Sequence, residues 1–218
     1  MPTIFPSLLG ASPLNLQKEI ELLEPHCQGF HLDIMDDHFV PNLTWGQDTV
    51  NAITKITRRT LWAHLMVQTP ETWIDRLLLP PGSIVSFHIE SIKKNIHLAK
   101  RIREKKWIAS VAVSPKTSVK EIFSLIGEIV DHVLIMSVEP GFAGQKFNPG
   151  VIDKVKDLVG YRQTSGLTFT IGMDGGINKN NIKMLADIGV DHFAIAGGIF
   201  SHADRIGALK ELQVLVGE

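Results

Sequence analysis

Short apolar runs alternate with amphipathic stretches from one end of the chain to the other. Eight of the runs read as strands: Thr3–Leu9, Gly29–Met35, Leu61–Val67, Ser83–His88, Trp107–Val113, Asp131–Ser137, Thr168–Asp174 and Asp191–Ala196. Many are near-continuous in apolar residues, the pattern of strands covered on both faces rather than one. Helical patterns fill the gaps. One opens at Ser12-Pro13, a polar cap followed by proline in the first turn. A second opens in the same style at Thr69-Pro70-Glu71. A third has Ser118-Val119-Lys120-Glu121, the spacing of a capping box. Leu14, Ile20, Leu22 and Leu23 recur at roughly helical spacing, as do Ile152, Val155 and Leu158.

Strict alternation of strand and helix implies a parallel sheet with crossover helices. Eight such units of about 25–30 residues leave no room for a second domain, and no linker or low-complexity stretch divides them. The expected fold is therefore α/β, a single (β/α)8 TIM barrel spanning 1–218. A doubly wound open sheet is the alternative, but no G-x-G-x-x-G follows the first strand.

Composition narrows the function classes. Apolar residues make up 44% of 218 and charged residues 21%, with a net charge of -1. The near-neutral balance argues against a nucleic-acid partner. The basic stretches Lys55 to Arg59 and Lys100 to Lys106 read as solvated helix faces. Cys27 is the only cysteine, so no intrachain disulfide forms, and its place just before a strand suits packing better than nucleophilic chemistry. Met1 to Gly10 lacks the features of a signal peptide, and no apolar run is long enough to span a bilayer. A cytoplasmic protein without membrane association is expected.

Catalytic groups of such barrels stand at the carboxyl ends of strands. Side chains two apart share a face of a strand, so His31, Asp33 and Met35 point one way while Leu32 and Ile34 point the other. His64 and Met66 share a face in the third strand. Asp174 is the last residue of the seventh, before Gly175-Gly176. Taken singly, each histidine reads as a hydrogen-bonded core residue and each aspartate as a structural cap. Together, His31, Asp33, His64 and Asp174 suit a divalent ion such as Zn, Fe, Mn or Co. Buried charges facing each other without a cation would be costly. Glycines cluster after the last three strands: Gly141 and Gly144 in the run Val138 to Gln145, then Gly175-Gly176, then Gly197-Gly198. There backbone N–H groups can approach an anion, and phosphate sites after strands seven and eight recur in this fold.

The chain resembles the ribulose-phosphate 3-epimerase family along nearly its whole length. The resemblance is carried in order by Pro6-Ser7-Leu8-Leu9, by His31 to Asp36 running on to His38-Phe39-Val40-Pro41-Asn42, and by His64-Leu65-Met66-Val67. It continues through His88-Ile89-Glu90, Val138-Glu139-Pro140-Gly141-Phe142, Gly144-Gln145-Lys146-Phe147 and Asp174-Gly175-Gly176. It implies one divalent metal held by His31, Asp33, His64 and Asp174, with Asp33 and Asp174 as the acid–base pair. It implies a phosphorylated ketose substrate touched by Ser7 and His64, roofed by Met35, Met66 and Met136, and cradled by Gly141, Phe142, Ala143, Gly144, Gly175, Gly176, Gly197 and Gly198. Relatives of this kind commonly associate, so a homo-oligomer is expected.

Several positions depart from the family pattern. Gly10 and Ser12 replace a serine and an acidic residue. Asp37 stands where glycine or asparagine is frequent, adding a negative charge near the site. Ser114 to Ser118 replace an Asn-Pro-x-Thr-Pro run, and Ala143 replaces a loop glycine. The run Ala196 to Phe200 is one residue shorter than the usual Gly-Ser-Ala-Ile-Phe type. The first expectation is epimerisation of D-ribulose 5-phosphate; the alternative is a six-carbon ketose phosphate such as D-allulose 6-phosphate, which Ala143 keeps open. A decarboxylase or aldol-type lyase ranks low because no lysine follows Asp33 in an Asp-x-Lys-x-x-Asp arrangement. The intact ligand set argues against a silent sugar-phosphate-binding protein.

Overall fold

A computed structural model describes residues 1–91 and 95–217. Its strands are β1 (Thr3–Pro6), β2 (Gly29–Met35), β3 (Thr60–Met66), β4 (Ile84–His88), β5 (Ile108–Val113), β6 (His132–Met136), β7 (Thr170–Asp174) and β8 (His192–Ile195). All pair in parallel, in the order β1-β8-β7-β6-β5-β4-β3-β2. A single parallel bridge between Ser7 and His31 joins the two ends of that series, so the barrel is nearly closed. The helices are α1 (Leu16–Leu23), α2 (Gln47–Ile56), α3 (Glu71–Ile74), α4 (Asn95–Glu104), α5 (Ile152–Ser165), α6 (Ile182–Asp187), α7 (Gly197–Phe200) and α8 (Arg205–Val216). This is the expected (β/α)8 architecture.

Four local expectations are corrected. β1 ends at Pro6 rather than Leu9, and Leu8–Gly10 form a 3-10 turn. Leu8 is apolar because its side chain is buried in that turn, not because it extends the strand. The first helix is delayed: Pro13–Asn15 make a 3-10 turn before α1, and Leu14 and Leu22 are 93% and 42% exposed while Ile20 and Leu23 are buried. At Thr69 the backbone carbonyl, not a capping hydroxyl, meets the Thr72 N–H at 3.2 Å, and α3 lasts one turn. The capping box at Ser118 does not form. Its hydroxyl accepts from Lys120 N–H at 3.3 Å, and Val119–Ile122 is a single 3-10 turn with no α-helix between β5 and β6 among the described residues. Gly127, at φ 81, turns the chain there and interrupts the helical spacing of Val119, Ile122, Ile126 and Ile129.

Period-two alternation divides the strands between two cores. Outward positions such as Leu32, Ile34, Val85, Val133 and Ile171 pack with the helices in one continuous apolar layer. Inward positions Phe5, Trp62, Ile84, Ala112, Leu134, Met136 and Ala194 form a separate cluster inside the cylinder. Trp62 occupies the lower interior, edge-on to Phe5, His31 and His132 with ring centroids 4.8–5.4 Å away. Space for it comes from Gly172: a Cβ there would sit 2.6 Å from the indole and 2.7 Å from the His132 ring.

The polar groups of this floor are mostly consumed internally. Trp62 Nε1 donates to Ser86 Oγ at 2.8 Å, Ser86 Oγ donates to Ser110 Oγ at 2.7 Å, and Ser110 Oγ lies 2.7 Å from His132 Nδ1. Buried groups are tolerated when paired in this way. His132 stacks on His192 at 5.2 Å, and its Nε2 has no hydrogen-bond partner.

Burial, helped by the neighbouring His192 and His31, holds the His132 imidazole well below its ordinary 6.5. The unfolded chain therefore takes up the proton first as pH falls. Stability contributed by neutral His132 is fully present above about pH 6.5 and is lost as pH drops below it, at about 1.4 kcal/mol per pH unit for one group. Urea unfolding at pH 7, 6 and 5 should show this decline. A His132→Asn variant, which keeps an acceptor for Ser110, should show a slope shallower by up to one proton. Equal slopes would mean that His132 titrates as it does in water.

Candidate active site

The carboxyl ends of β2, β3, β6 and β7 bring the predicted residues to one mouth of the barrel. Register sets Asp33 beside His64, Met35 beside Met66, and Met136 beside Asp174. One ligating atom from each of His31, Asp33, His64 and Asp174 lies within 4.8 Å of the others. His64 Nδ1 is 3.3 Å from Asp33 Oδ1 and 3.7 Å from Asp174 Oδ2. His31 Nδ1 is 3.2 Å from Asp33 Oδ2 without hydrogen-bond geometry, and both of its ring nitrogens are buried with no hydrogen-bond partner. An orphaned imidazole nitrogen beside two carboxylates is what a cation would satisfy, and the His/Asp donor set fits a borderline divalent ion.

Burial alone would raise the Asp33 carboxyl, but the neighbouring His31 and His64 imidazoles outweigh it and hold Asp33 well below the usual carboxylate range. Burial likewise pushes His64 down. The nearby Asp174 and Asp33 carboxylates overcome it, leaving His64 raised to about 9. The cluster is thus organised around stabilised negative charge.

Above it opens a cavity of about 470 Å³. Ser7, Met35, Met66, Met136, Gly141, Phe142, Ala143, Gly144, Gly175, Gly176, Gly197 and Gly198 all line it, together with Asp33 and Asp174. His31 and His64 lie beneath its surface, fully buried. The Ser7 hydroxyl donates to Asp33 Oδ2 at 2.7 Å, so it orients the carboxylate as well as facing the cavity. Met35 and Met66 pack with Val40, Leu9 and Phe39 into an apolar wall.

The rim is held by backbone-directed bonds. Asp36 accepts N–H bonds from His38, Phe39 and Gln68 at 2.7–3.0 Å, tying the β2 loop to the end of β3. Asn42 Nδ2 donates to the Gly141 carbonyl at 2.6 Å, joining that loop to the one after β6. Gly176, at φ 60, could not be replaced by a residue with a side chain: a Cβ would lie 2.3 Å from Phe147 N. Ala143 is not among the residues with positive φ, so alanine sits in this loop without backbone strain. Asp37, at φ 58, occupies the left-handed region that glycine and asparagine prefer. It is exposed and does not itself line the cavity.

Three site features escaped the sequence reading of roles. His88 is fully buried, with Nε2 2.9 Å from His64 Nε2 and Nδ1 3.1 Å from Glu90 Oε2. Its signal was available: it is the last residue of β4, two beyond Ser86 on the inward face. Burial first, then the nearby His64 charge, lower His88 to about 4 against the pull of Glu90. Burial would raise Glu90, but bonds from His88, Thr117 and the Ser114 N–H hold it at about 2. Lys146 and His202 also line the cavity, on loops where no periodicity points to them.

A family model described as the ribulose-phosphate 3 epimerase family matches residues 3–200. Among curated relatives, the ribulose-phosphate 3-epimerase of Mycobacterium tuberculosis is 33% identical over 216 residues, covering 99% of this chain and 93% of that one. The Bacillus subtilis ribulose-phosphate 3-epimerase is 32% identical over 215 residues, covering 98% and 99%. A rice relative named as the cytoplasmic isoform is 35% identical over 215 residues, covering 95% and 92%. Among solved structures, KGPDC from Streptococcus mutans aligns with a TM-score of 0.71 at 12% identity, covering 100% of this chain and 98% of that one. The 3-hexulose-6-phosphate synthase from Salmonella typhimurium aligns with a TM-score of 0.66 at 14% identity, covering 98% of each chain. The structural likenesses speak for the barrel alone. No helix among the described residues is long and apolar enough to cross a membrane.

Proposed function

Because this chain belongs to the ribulose-phosphate 3-epimerase family, an isomerase class, we propose that it inverts C3 of D-ribulose 5-phosphate to give D-xylulose 5-phosphate. The observation that carries the reading is the convergence of His31, Asp33, His64 and Asp174 within 4.8 Å, with both carboxylates facing the cavity.

Inverting a carbon beside a ketone requires a proton to leave one face and another to arrive on the opposite face. One fixed base does not reach both, so two groups are needed. Asp33 and Asp174 fill these roles from β2 and β7. One accepts the C3 proton, and the C–H electron pair moves into the C2 carbonyl to give an enediolate. The other, carrying a proton, delivers it to the far face of C3, and the carbonyl re-forms. Ser7 steadies Asp33 through its 2.7 Å bond. Met35, Met66 and Met136 present polarizable, water-excluding thioethers to the reacting carbons. Backbone N–H groups of the turns at Gly175-Gly176 and Gly197-Gly198 receive the phosphate, and the loop from Gly141 to Gly144 covers the sugar. A divalent ion (Zn, Fe, Mn or Co) held by His31, Asp33, His64 and Asp174 supplies a Lewis acid for the charge that develops on the substrate oxygens.

Asp33→Asn and Asp174→Asn should each lower kcat by at least roughly 10²–10⁴-fold, the usual worth of a general acid or base, while the far-ultraviolet spectrum stays unchanged. Near-normal turnover in either variant contradicts its role. Thorough metal stripping should abolish activity, and a divalent transition ion should restore it; turnover in demonstrably metal-free protein refutes the ligand assignment. A coupled assay should give a higher kcat/KM for D-ribulose 5-phosphate than for D-allulose 6-phosphate. A large preference for the hexulose phosphate overturns the substrate choice.

A further inference from the structure

We propose that His88 and Glu90 form a positioning relay that locks His64 in the tautomer able to ligate through Nδ1. The affinity of the metal site is then set partly by two residues that reach neither ion nor sugar. The inference deepens the metal reading above and rests on it.

The tautomers follow from the far end of the chain inward. A carboxylate only accepts, and a neutral imidazole has one donor and one acceptor nitrogen. Glu90 Oε2 lies 3.1 Å from His88 Nδ1, so Nδ1 carries the hydrogen. His88 Nε2 is then the acceptor, and at 2.9 Å its partner His64 Nε2 must donate. With the Nε2 hydrogen committed to His88, the proton on His64 Nδ1, which faces Asp33 at 3.3 Å and Asp174 at 3.7 Å, is the one a metal ion displaces on binding. If the Glu90 acceptor were removed, His88 could carry its hydrogen on Nε2 and point a donor at His64. That would favour the His64 tautomer with Nδ1 occupied.

The relay is built rigidly. His64 and His88 are fully buried and their rings stack at 5.0 Å, with Phe39 covering His88 at 4.8 Å. The second oxygen of Glu90 accepts the Ser114 N–H at 2.9 Å. Lys154 Nζ donates to the Ser114 carbonyl at 2.8 Å and to the Thr117 carbonyl, fixing the loop that holds Glu90. A carboxylate at the end of a hydrogen-bonded imidazole chain also makes the ligating nitrogen a better electron donor, and such outer partners are commonly worth 10–100-fold in metal affinity.

The test uses full-length, metal-stripped protein titrated with Zn(II) against a chromophoric chelator. Wild-type protein that fails to take up one equivalent overturns the metal reading, and the relay with it. Given wild-type binding, His88→Leu should weaken Zn(II) affinity roughly 10–100-fold. Glu90→Leu, at a partly exposed position, should weaken it in the same direction by less. His88→Gln, which can accept from His64 and donate to Glu90, should stay closer to wild type. Unchanged affinity in both Leu variants, or a Gln variant as weak as His88→Leu, overturns the relay alone. Imidazole ¹⁵N NMR of the Zn(II)-loaded wild type needs no substitution at the buried position. It should show His88 protonated at Nδ1 and bare at Nε2; the opposite tautomer overturns the proposal.

Discussion

Two carboxylates held close together out of bulk water are the constraint around which the mouth of this barrel is arranged. At separations of 4–5 Å, with an effective dielectric constant of about 20, two unit charges repel by roughly 3–4 kcal/mol. Asp33 is 2% exposed, so solvent does little to relieve that repulsion. Its neighbours do: His31 and His64 lie against it, and Ser7 donates to it. The same arrangement leaves the His31 nitrogens without hydrogen-bond partners. A cation there would offset the excess negative charge and satisfy one of the two orphaned nitrogens. The donor set therefore fits a cation better than it fits a set of ion pairs alone.

The cylinder separates this charged mouth from a floor with different needs. Below the site, Trp62, Ser86, Ser110 and His132 spend their polar atoms largely on one another. That chain lets a large indole and two imidazoles fill the narrow interior while leaving few unpaired groups. It also sets His31 on an aromatic base, with Trp62 edge-on at 4.8 Å, so the imidazole has little freedom to turn. Precise placement of a ligand side chain comes from such packing as much as from the ligand itself.

Around the rim, fixed and variable parts are distinct. Asp36 and Asn42 bind backbone groups across loops, and this keeps the loop after β2 in register with those after β3 and β6. The departures from the family pattern fall where the backbone tolerates them. Asp37 sits in a left-handed turn and does not line the cavity, and Ala143 needs no glycine conformation. The short run after β8 still brings Gly197 and Gly198 to the cavity. The identity of the chain with these relatives is about a third.

Alternation of apolar runs along the sequence was enough to determine eight parallel strands and, through the two-residue period, which side chains face inward. That is why His31, Asp33, His64 and Asp174 could be named as one set before any coordinates: parity along a strand is local, and strand ends share one rim. Helices were less legible. The spacing around Ser118 reads as helical, but a left-handed Gly127 breaks it, and Leu14 faces solvent despite its apolarity. Contacts between strands depend on register and closure, which no local period encodes. Only the tertiary structure placed His88 against His64, packed Trp62 into the space left by Gly172, and closed the barrel through Ser7 and His31.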